Sequence, residues 1–485
     1  MKNGIFLALI FIFGLFSAPV YGADDGVQTP LIESSTPLSP QDLFEIALRH
    51  SPDHQKTVQT ASISGIGIRS AWGTFLPTLD VGYQLSQNNY YQPTYTNPDG
   101  SVSSYPVTIL THPTVYDTIN GHIFEGQDPT ADISVTIPIP EGKSRTSSGW
   151  ISLRETIRLG GQQIFGIRNA NIAKQMNDLQ IESSEIALYT HIRQSYYAVL
   201  AQKRLYELAQ KVLEQKQEQL RLAKARFEIG SVTELDVLQA EIDVGNQENA
   251  IITAQNNVRL AREELNRLIG VDLNSTYPLK EDFEIFDPKL DLDELIKKAL
   301  AHRPDYRVAL KQEEYQRNLA YSHRGEFFPD LSASLTHSRS QNSGGNVDFT
   351  FNPRNRNTSM SVSLTWNLFS GFSDQAQYET ARVNLRNSRY DLKKQEQTVE
   401  KEVRQAYYSL MQTYDQSQVT SKNRELASRQ LALEQERYRL GATSQLNLRA
   451  AQVTYEQAEA DYIANVFSFW TYYAALENAV GGKIE

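Results

Sequence analysis

Hydrophobic and polar positions along this chain follow two periods. Alternation in steps of two marks Leu79, Val81, Tyr83 and Leu85, then Leu331, Ala333 and Leu335, then Met360, Val362, Leu364, Trp366 and Leu368. Serine, threonine, glutamine and asparagine fill most of the positions between, so the spacing predicts strands with one apolar and one polar face. Ile133, Val135, Ile137 and Ile139 alternate too and predict a further strand. Elsewhere heptad spacing takes over: Leu385, Leu392, Val399 and Ala406 with Val403 and Leu410, and Ile172, Leu179 and Ile186. Proline is absent from 141 to 277 and after Pro353, leaving tracts 161–229 and 372–440 of about 69 residues each. As helix each would reach roughly 100 Å, which suits a coiled coil or tunnel wall rather than a globular domain. Alanine, serine and glutamine dilute the apolar seam and the opposite faces are strongly polar. Such helices pack by close approach and keep a wet side.

The same order of elements occurs twice. Ala47, His50, Pro52 and Asp53 recur as Ala299, His302, Pro304 and Asp305, and Phe75 and Pro77 recur as Phe327 and Pro329, all at an offset of 252. Beyond this the offset is 211: Leu153 matches Leu364, Gly160 matches Gly371, Tyr196-Tyr197 matches Tyr407-Tyr408, and Leu265 and Gly270 match Leu476 and Gly481. One 41-residue insertion within the Pro- and Tyr-rich tract between Pro77 and Gly160 accounts for the change. The first repeat is thus expected over 41–270, with a hairpin carrying an inserted loop at about 87–146. A linker follows at 271–291, and the second repeat covers 292–485 with its hairpin at 327–370. Within each repeat a lone glycine, Gly230 or Gly441, interrupts the helical tract. A helix reversal is predicted there, with the glycine in the left-handed position and Ser231 or Thr443 capping the next helix.

Composition narrows the setting. Residues 1–22 carry a lysine, an apolar run over 5–16 and small residues near Gly22 and Ala23, the pattern of a cleaved secretory signal. That run falls short of the ~20 residues a spanning helix needs. The chain has no cysteine, so neither disulfides nor a lipidated cysteine are expected. The net charge of −10 is spread over interleaved acids and bases, which argues against a nucleic-acid partner. No catalytic, cofactor or metal constellation stands out. His50 and His54 are spaced to chelate, but His54 falls on Tyr306 in the second copy and reads as structural. Gly65-Ile66-Gly67 is an incomplete phosphate-loop pattern, better read as helix packing. Asp291-Leu292-Asp293-Glu294 reads as a helix start capped by Asp291 or Asp293. The tyrosine pairs read as interhelix packing. Catalysis is therefore not expected.

Each repeat offers one hairpin, so a chain supplies about four strands, and four cannot close a membrane barrel. Several chains would have to share one. With its paired Ala-x-x-x-x-Pro-Asp openings at 47–53 and 299–305, its Phe-x-Pro-x-Leu strand entries and its paired Arg-aromatic-x-x-Gly tips, the chain resembles the TolC-like outer membrane efflux proteins over essentially its whole mature length. The resemblance implies an α+β membrane protein. Antiparallel coiled-coil helices would form a periplasmic α-barrel, and the four strands would contribute to a 12-stranded β-barrel shared by a homotrimer. It implies an exit duct in the outer membrane, reaching into the periplasm, that serves a tripartite efflux or type I secretion system. Its partners would be a periplasmic adaptor, an inner-membrane pump and outer-membrane lipid. It places Gly230, Asp236, Tyr438, Gly441, Thr443, Asn447 and Arg449 at the adaptor-docking tips and tunnel entrance. Tyr438 matches an aromatic that helps tie the entrance shut, and Thr443 stands where a basic residue makes a related contact. Asn447 and Ala450 replace the aspartates of an acidic ring, Asp236 lies on the helix pair further from the axis, and Arg449 is expected to make the entrance more basic. The competing reading is an exported periplasmic coiled-coil scaffold that never enters the membrane.

Overall fold

The computed structural model describes residues 30–32, 35–90, 94–96, 98–104, 107–111, 116–119, 122–125, 133–137, 142–281, 284–343 and 356–484. The expected signal at 1–22 lies outside them. Two compact units are present, one made of Gly67–Asn171 with Arg317–Val383 and the other of the remaining described residues.

Helices α1 (Pro40–His50), α2 (Pro52–Ser62) and α3 (Ser64–Gly73) precede strand β1 (Thr78–Tyr90). The expected loop then contains short antiparallel pairs. They are β2 (Thr94–Thr96) with β3 (Val102–Ser104), β4 (Val107–Thr111) with β7 (Ile133–Ile137), and β5 (Tyr116–Ile119) with β6 (His122–Glu125). Strand β8 (Gly142–Arg158) leads into α4 (Gln162–Glu228) and α5 (Glu234–Ile269). The second half runs through α6 (Leu292–His302), α7 (Pro304–Arg324), β9 (Asp330–Ser343), β10 (Arg356–Thr365), α8 (Ser373–Arg439) and α9 (Gln445–Val480). Both α4 and α8 have 67 residues, and both α5 and α9 have 36.

In the strand unit the sheet order is β1-β8-β9-β10, antiparallel throughout. The register sets Leu79 opposite Leu153, Leu153 opposite Leu335 and Leu335 opposite Met360. Because side chains alternate across a strand, one face gathers Leu79, Val81, Ile151, Leu335, Met360, Val362 and Leu364, all of them exposed. The other face carries hydroxyls, with Ser332–Ser363 and Ser334–Ser361 contacts at 2.8 and 2.9 Å. Trp150 is the apolar exception there, and it lies over Gly82, where a Cβ would fall 2.1 Å from the ring. Strand β10 stops at Thr365, so Trp366 and Leu368 lie beyond the strand expected to hold them. Trp366 Nε1 instead donates to the Phe327 carbonyl at 3.0 Å. The turn from β8 to α4 depends on a close backbone approach: a Cβ on Gly160 would sit 2.0 Å from the Gly325 carbonyl oxygen.

The helical unit holds two cores with one design. Leu43, Ala47, Leu188, Ile192, Val199, Leu265 and Ile269 form the first, and Leu295, Ala299, Val399, Val403, Leu410, Leu476 and Val480 the second. Each member of the second lies 252 or 211 positions beyond a member of the first. Each core is closed by a left-handed glycine cap against the break before the Pro-Asp helix. Gly270 packs on the His50 carbonyl and Gly481 on Arg303. Those breaks need no glycine, because proline suits the first turn of a helix. Asp291 is the cap of α6, accepting from Asp293 and Glu294 N–H at 2.8 and 3.2 Å. His54 is buried 4.0 Å from Glu185. Tyr196 and Tyr197 are packed as expected, whereas Tyr408 is exposed.

The linker is strapped to the first core. Leu38 and Leu279 form a parallel bridge, and Tyr196 donates to the carbonyls of Leu38 and Lys280. Asn266 donates to the Leu273 and Ser275 carbonyls at 3.0 Å and accepts from the Tyr277 hydroxyl at 2.8 Å. Between the cores Arg193 pairs with Glu477, both largely buried.

Candidate functional site

The two helix reversals are the same object built twice. Gly230 has φ +73° and donates to the Phe227 carbonyl at 2.9 Å, while Ser231 N–H reaches the Arg226 carbonyl at 2.8 Å. Gly441 has φ +76°, and the equivalent bonds run to Tyr438 at 3.0 Å and from Ala442 to Arg437 at 2.8 Å. This pair of bonds is a Schellman closure, which uses the backbone of the residue after the glycine to satisfy a carbonyl of the preceding turn. Ser231 N–H is therefore part of the stop of the preceding helix. The caps are Thr233 and Ser444, one or two residues later than the expected Ser231 and Thr443.

The caps settle the fate of two more site residues. At the first tip Asp236 completes a capping box, its carboxylate accepting from Thr233 N–H at 2.9 Å and from the Thr233 hydroxyl at 2.8 Å. The Thr233 side chain and then its backbone N–H hold Asp236 below the usual carboxylate range. At the second tip Asn447 takes the same place without a charge. Its N–H donates to Ser444 Oγ at 3.3 Å and its side-chain amide to Thr443 Oγ1 at 3.2 Å.

Arg449 does not stand free to make the tip basic. It pairs at 3.0 Å with Asp243, a mostly buried carboxylate on α5 that also accepts from Gln239 at 3.2 Å. Further from the tip, Lys216 donates to Gln247 at 3.3 Å and lies 4.0 Å from Glu456. Burial raises the Glu456 pKa above its ordinary value, opposed by Lys216 and reinforced by Asp243.

Tyr438 is 7 % exposed and packs with Leu431, Leu448 and Ala451. Within the chain it acts through its ring and its carbonyl. The Arg226 guanidinium lies 4.5 Å from the ring centroid and donates to the Tyr438 carbonyl at 2.8 Å. Arg226 thus joins the first tip to the second, a role not assigned to it from the sequence. The signal was present in the repeat: its counterpart Arg437 pairs with Glu434 one turn back at 2.7 Å, while the matching position in the first copy is the buried Ala223. Without that local partner, Arg226 reaches across.

The tips also repeat an apolar surface. Ile229 and Leu235 are 78 % and 73 % exposed, and their counterparts Leu440 and Leu446 are 67 % and 74 % exposed. Between α8 and α9 two open grooves of about 570 and 530 Å³ are lined mainly by Thr, Ser, Asn and Gln, with Asp461 common to both. Among the described residues no group of three or more His, Asp or Glu is placed to hold a metal, and no helix is long and apolar enough to cross a membrane.

The sequence profile of the family described as "Outer membrane efflux protein" matches residues 134–271 and 295–482. The alkaline protease secretion protein AprF of Pseudomonas aeruginosa is 25 % identical over 241 residues, 48 % of this chain and 48 % of AprF. The aligned region is thus about half the length of that curated relative. The CmeC outer membrane channel of Campylobacter jejuni shares the fold with a TM-score of 0.70 at 16 % identity, over 91 % of this chain and 85 % of that one. The outer membrane protein VceC of Vibrio cholerae does so with a TM-score of 0.67 at 16 % identity, over 92 % and 97 %. With the family match reaching into both repeats and covering more than half of its length, the chain belongs to the outer membrane efflux protein family.

Proposed function

We propose that this protein is a passive exit duct in the outer membrane, through which substrates delivered by an inner-membrane pump and a periplasmic adaptor leave the cell. The observation that carries the reading is the open four-stranded sheet with one exposed apolar face. Open sheet edges cannot face lipid, so β1 and β10 call for partners, and three chains would close a barrel of twelve strands. The 67-residue helices α4 and α8 suit the periplasmic part of such a duct. Hydroxyl- and amide-lined grooves suit passage more than chemistry. The exposed Ile229, Leu235, Leu440 and Leu446 offer the adaptor a repeated apolar contact, with Gly230 and Gly441 setting the turns that present it. Efflux and type I secretion both fit; the likeness to a protease secretion protein favours neither over the whole length.

The test is the oligomer mass of detergent-purified protein together with its conductance in a planar bilayer. A trimer with small, mostly closed single-channel steps is expected. A detergent-independent monomer or dimer that never inserts would overturn the duct and leave the periplasmic scaffold as the better reading.

A further inference from the structure

The apolar face of the sheet ends differently at its two limits. Where the strands join helices it is followed by Trp366, Phe369 and Phe372, all exposed, with the two phenylalanine rings 5.3 Å apart edge to face. Toward the opposite limit, past Ile151 on β8, Leu335 on β9 and Met360 on β10, each of these three strands places an arginine on this same face: Arg145, Arg339 and Arg356. The register fixes the side. Leu335 lies opposite both Leu153 and Met360, and steps of two along each strand from these residues reach Arg339, Arg145 and Arg356.

Arg339 and Arg356 are directly opposite one another. Like charges in that arrangement destabilise a sheet unless something compensates them. The other described positions on this part of the face include Tyr83, Leu85 and Gln87 on β1, the last accepting from Arg145 Nε at 2.8 Å, and the pair His337–Thr358 at 2.7 Å. No carboxylate stands on this face beyond Leu335 among the described residues.

We propose that Arg145, Arg339 and Arg356 form a binding surface for the phosphate-bearing headgroups of lipids in the outer leaflet. The inference rests on the outer-membrane reading above, in which the strand ends away from the helices face outward. The planar guanidinium fork matches phosphate oxygens in pairs. Basic residues bordering a hydrocarbon-facing belt sit at headgroup depth, where each adds to the attraction for an anionic lipid. Continuity with the apolar belt is what points to a lipid. A phosphate held there keeps its acyl chains along Leu335 and Met360, and it screens the opposed arginines from one another.

The experiment reconstitutes the full chain in phosphatidylcholine vesicles doped with phosphatidic acid. The lipid kept by the protein after extraction into detergent is then measured by native mass spectrometry. Wild type is expected to retain phosphatidic acid in preference to phosphatidylcholine, less so as salt is raised. In Arg145→Gln/Arg339→Gln/Arg356→Gln the retention falls roughly tenfold or more. The corresponding triple lysine variant keeps most of it. Arg154→Gln/Arg158→Gln, on the hydroxyl-bearing face, behaves as wild type. Should the triple glutamine variant not fold, Arg339→Gln/Arg356→Gln carries the test with the same expected direction. Equal retention by the glutamine variant and wild type overturns the proposal. So does an equal loss of stability in vesicles with and without phosphatidic acid, which would give the arginines a purely structural role. Failure of wild type to enter phosphatidylcholine vesicles at all would remove the outer-membrane reading itself.

Discussion

Replacing Arg226 by glutamine removes the side chain that joins the first tip to the second, and leaves both left-handed glycines and both caps in place. Two contributions are lost. The charge-assisted hydrogen bond to the partly buried Tyr438 carbonyl at 2.8 Å belongs to a class worth about 1.5–3 kcal/mol. The guanidinium 4.5 Å from the ring centroid adds ~0.5–1 kcal/mol at a site of this exposure. Glutamine can regain part of a neutral hydrogen bond, so the net loss is about 2 kcal/mol, or roughly a 30-fold shift in the balance between joined and separated tips. Single-channel recording on reconstituted protein reads this as a rise in open probability. Tyr438→Phe, which keeps both ring and carbonyl, should gate within about twofold of wild type on the same reasoning. Tyr438→Ala keeps the carbonyl but empties the packed ring position and should open at least as readily as Arg226→Gln. Wild-type gating in Arg226→Gln together with opening in Tyr438→Phe would refute the scheme, because closure would then rest on the tyrosine hydroxyl.

Other perturbations test the scaffold behind the tips. Gly160→Ala drives a Cβ to 2.0 Å from the Gly325 carbonyl oxygen; a loss above about 3 kcal/mol or failure to assemble is expected in denaturation and gel-filtration measurements, and a wild-type melt would deny the close approach. Glu477→Gln strands the buried Arg193 at a cost of about 3–5 kcal/mol, whereas the double change Arg193→Met/Glu477→Leu should cost far less; equal losses in chemical denaturation would show that the pair itself stabilises the cores. Glu456 gives a pH signature. Its folded pKa lies above the ordinary 4.5, so the folded protein holds this proton more tightly than the unfolded chain, and the group adds stability as pH falls through the raised value. Thermal melts of wild type and Glu456→Gln between neutral and mildly acid pH should therefore converge in favour of wild type as pH falls, and a constant gap would contradict the burial argument.

The elements that depend on neighbours along the chain were legible before any coordinates. Absence of proline and heptad spacing fixed two 67-residue helices, and alternation in steps of two fixed which side chains share the apolar face. Two lone glycines marked the reversals, since only glycine takes the left-handed turn without strain. The offsets of 252 and 211 even relate the two buried cores residue by residue. All of this is local: backbone preference and periodicity act over a few residues and leave their mark in composition and spacing.

What packing alone decided concerns partners far apart in sequence. The Schellman closure uses Ser231 at the first tip, and the caps fall on Thr233 and Ser444. Asp236 went to a cap, and Arg449 to Asp243 on another helix. Strand β8 paired with β9 across the repeat boundary, a match that no turn signal announces because α4, α5, the linker, α6 and α7 all lie between them. Arg226 found the carbonyl of Tyr438, 212 positions away. Such contacts are chosen among many chemically similar side chains by which helices lie side by side. A charged group desolvated at that point is costly until it finds a partner, and the fold determines which partner is in reach.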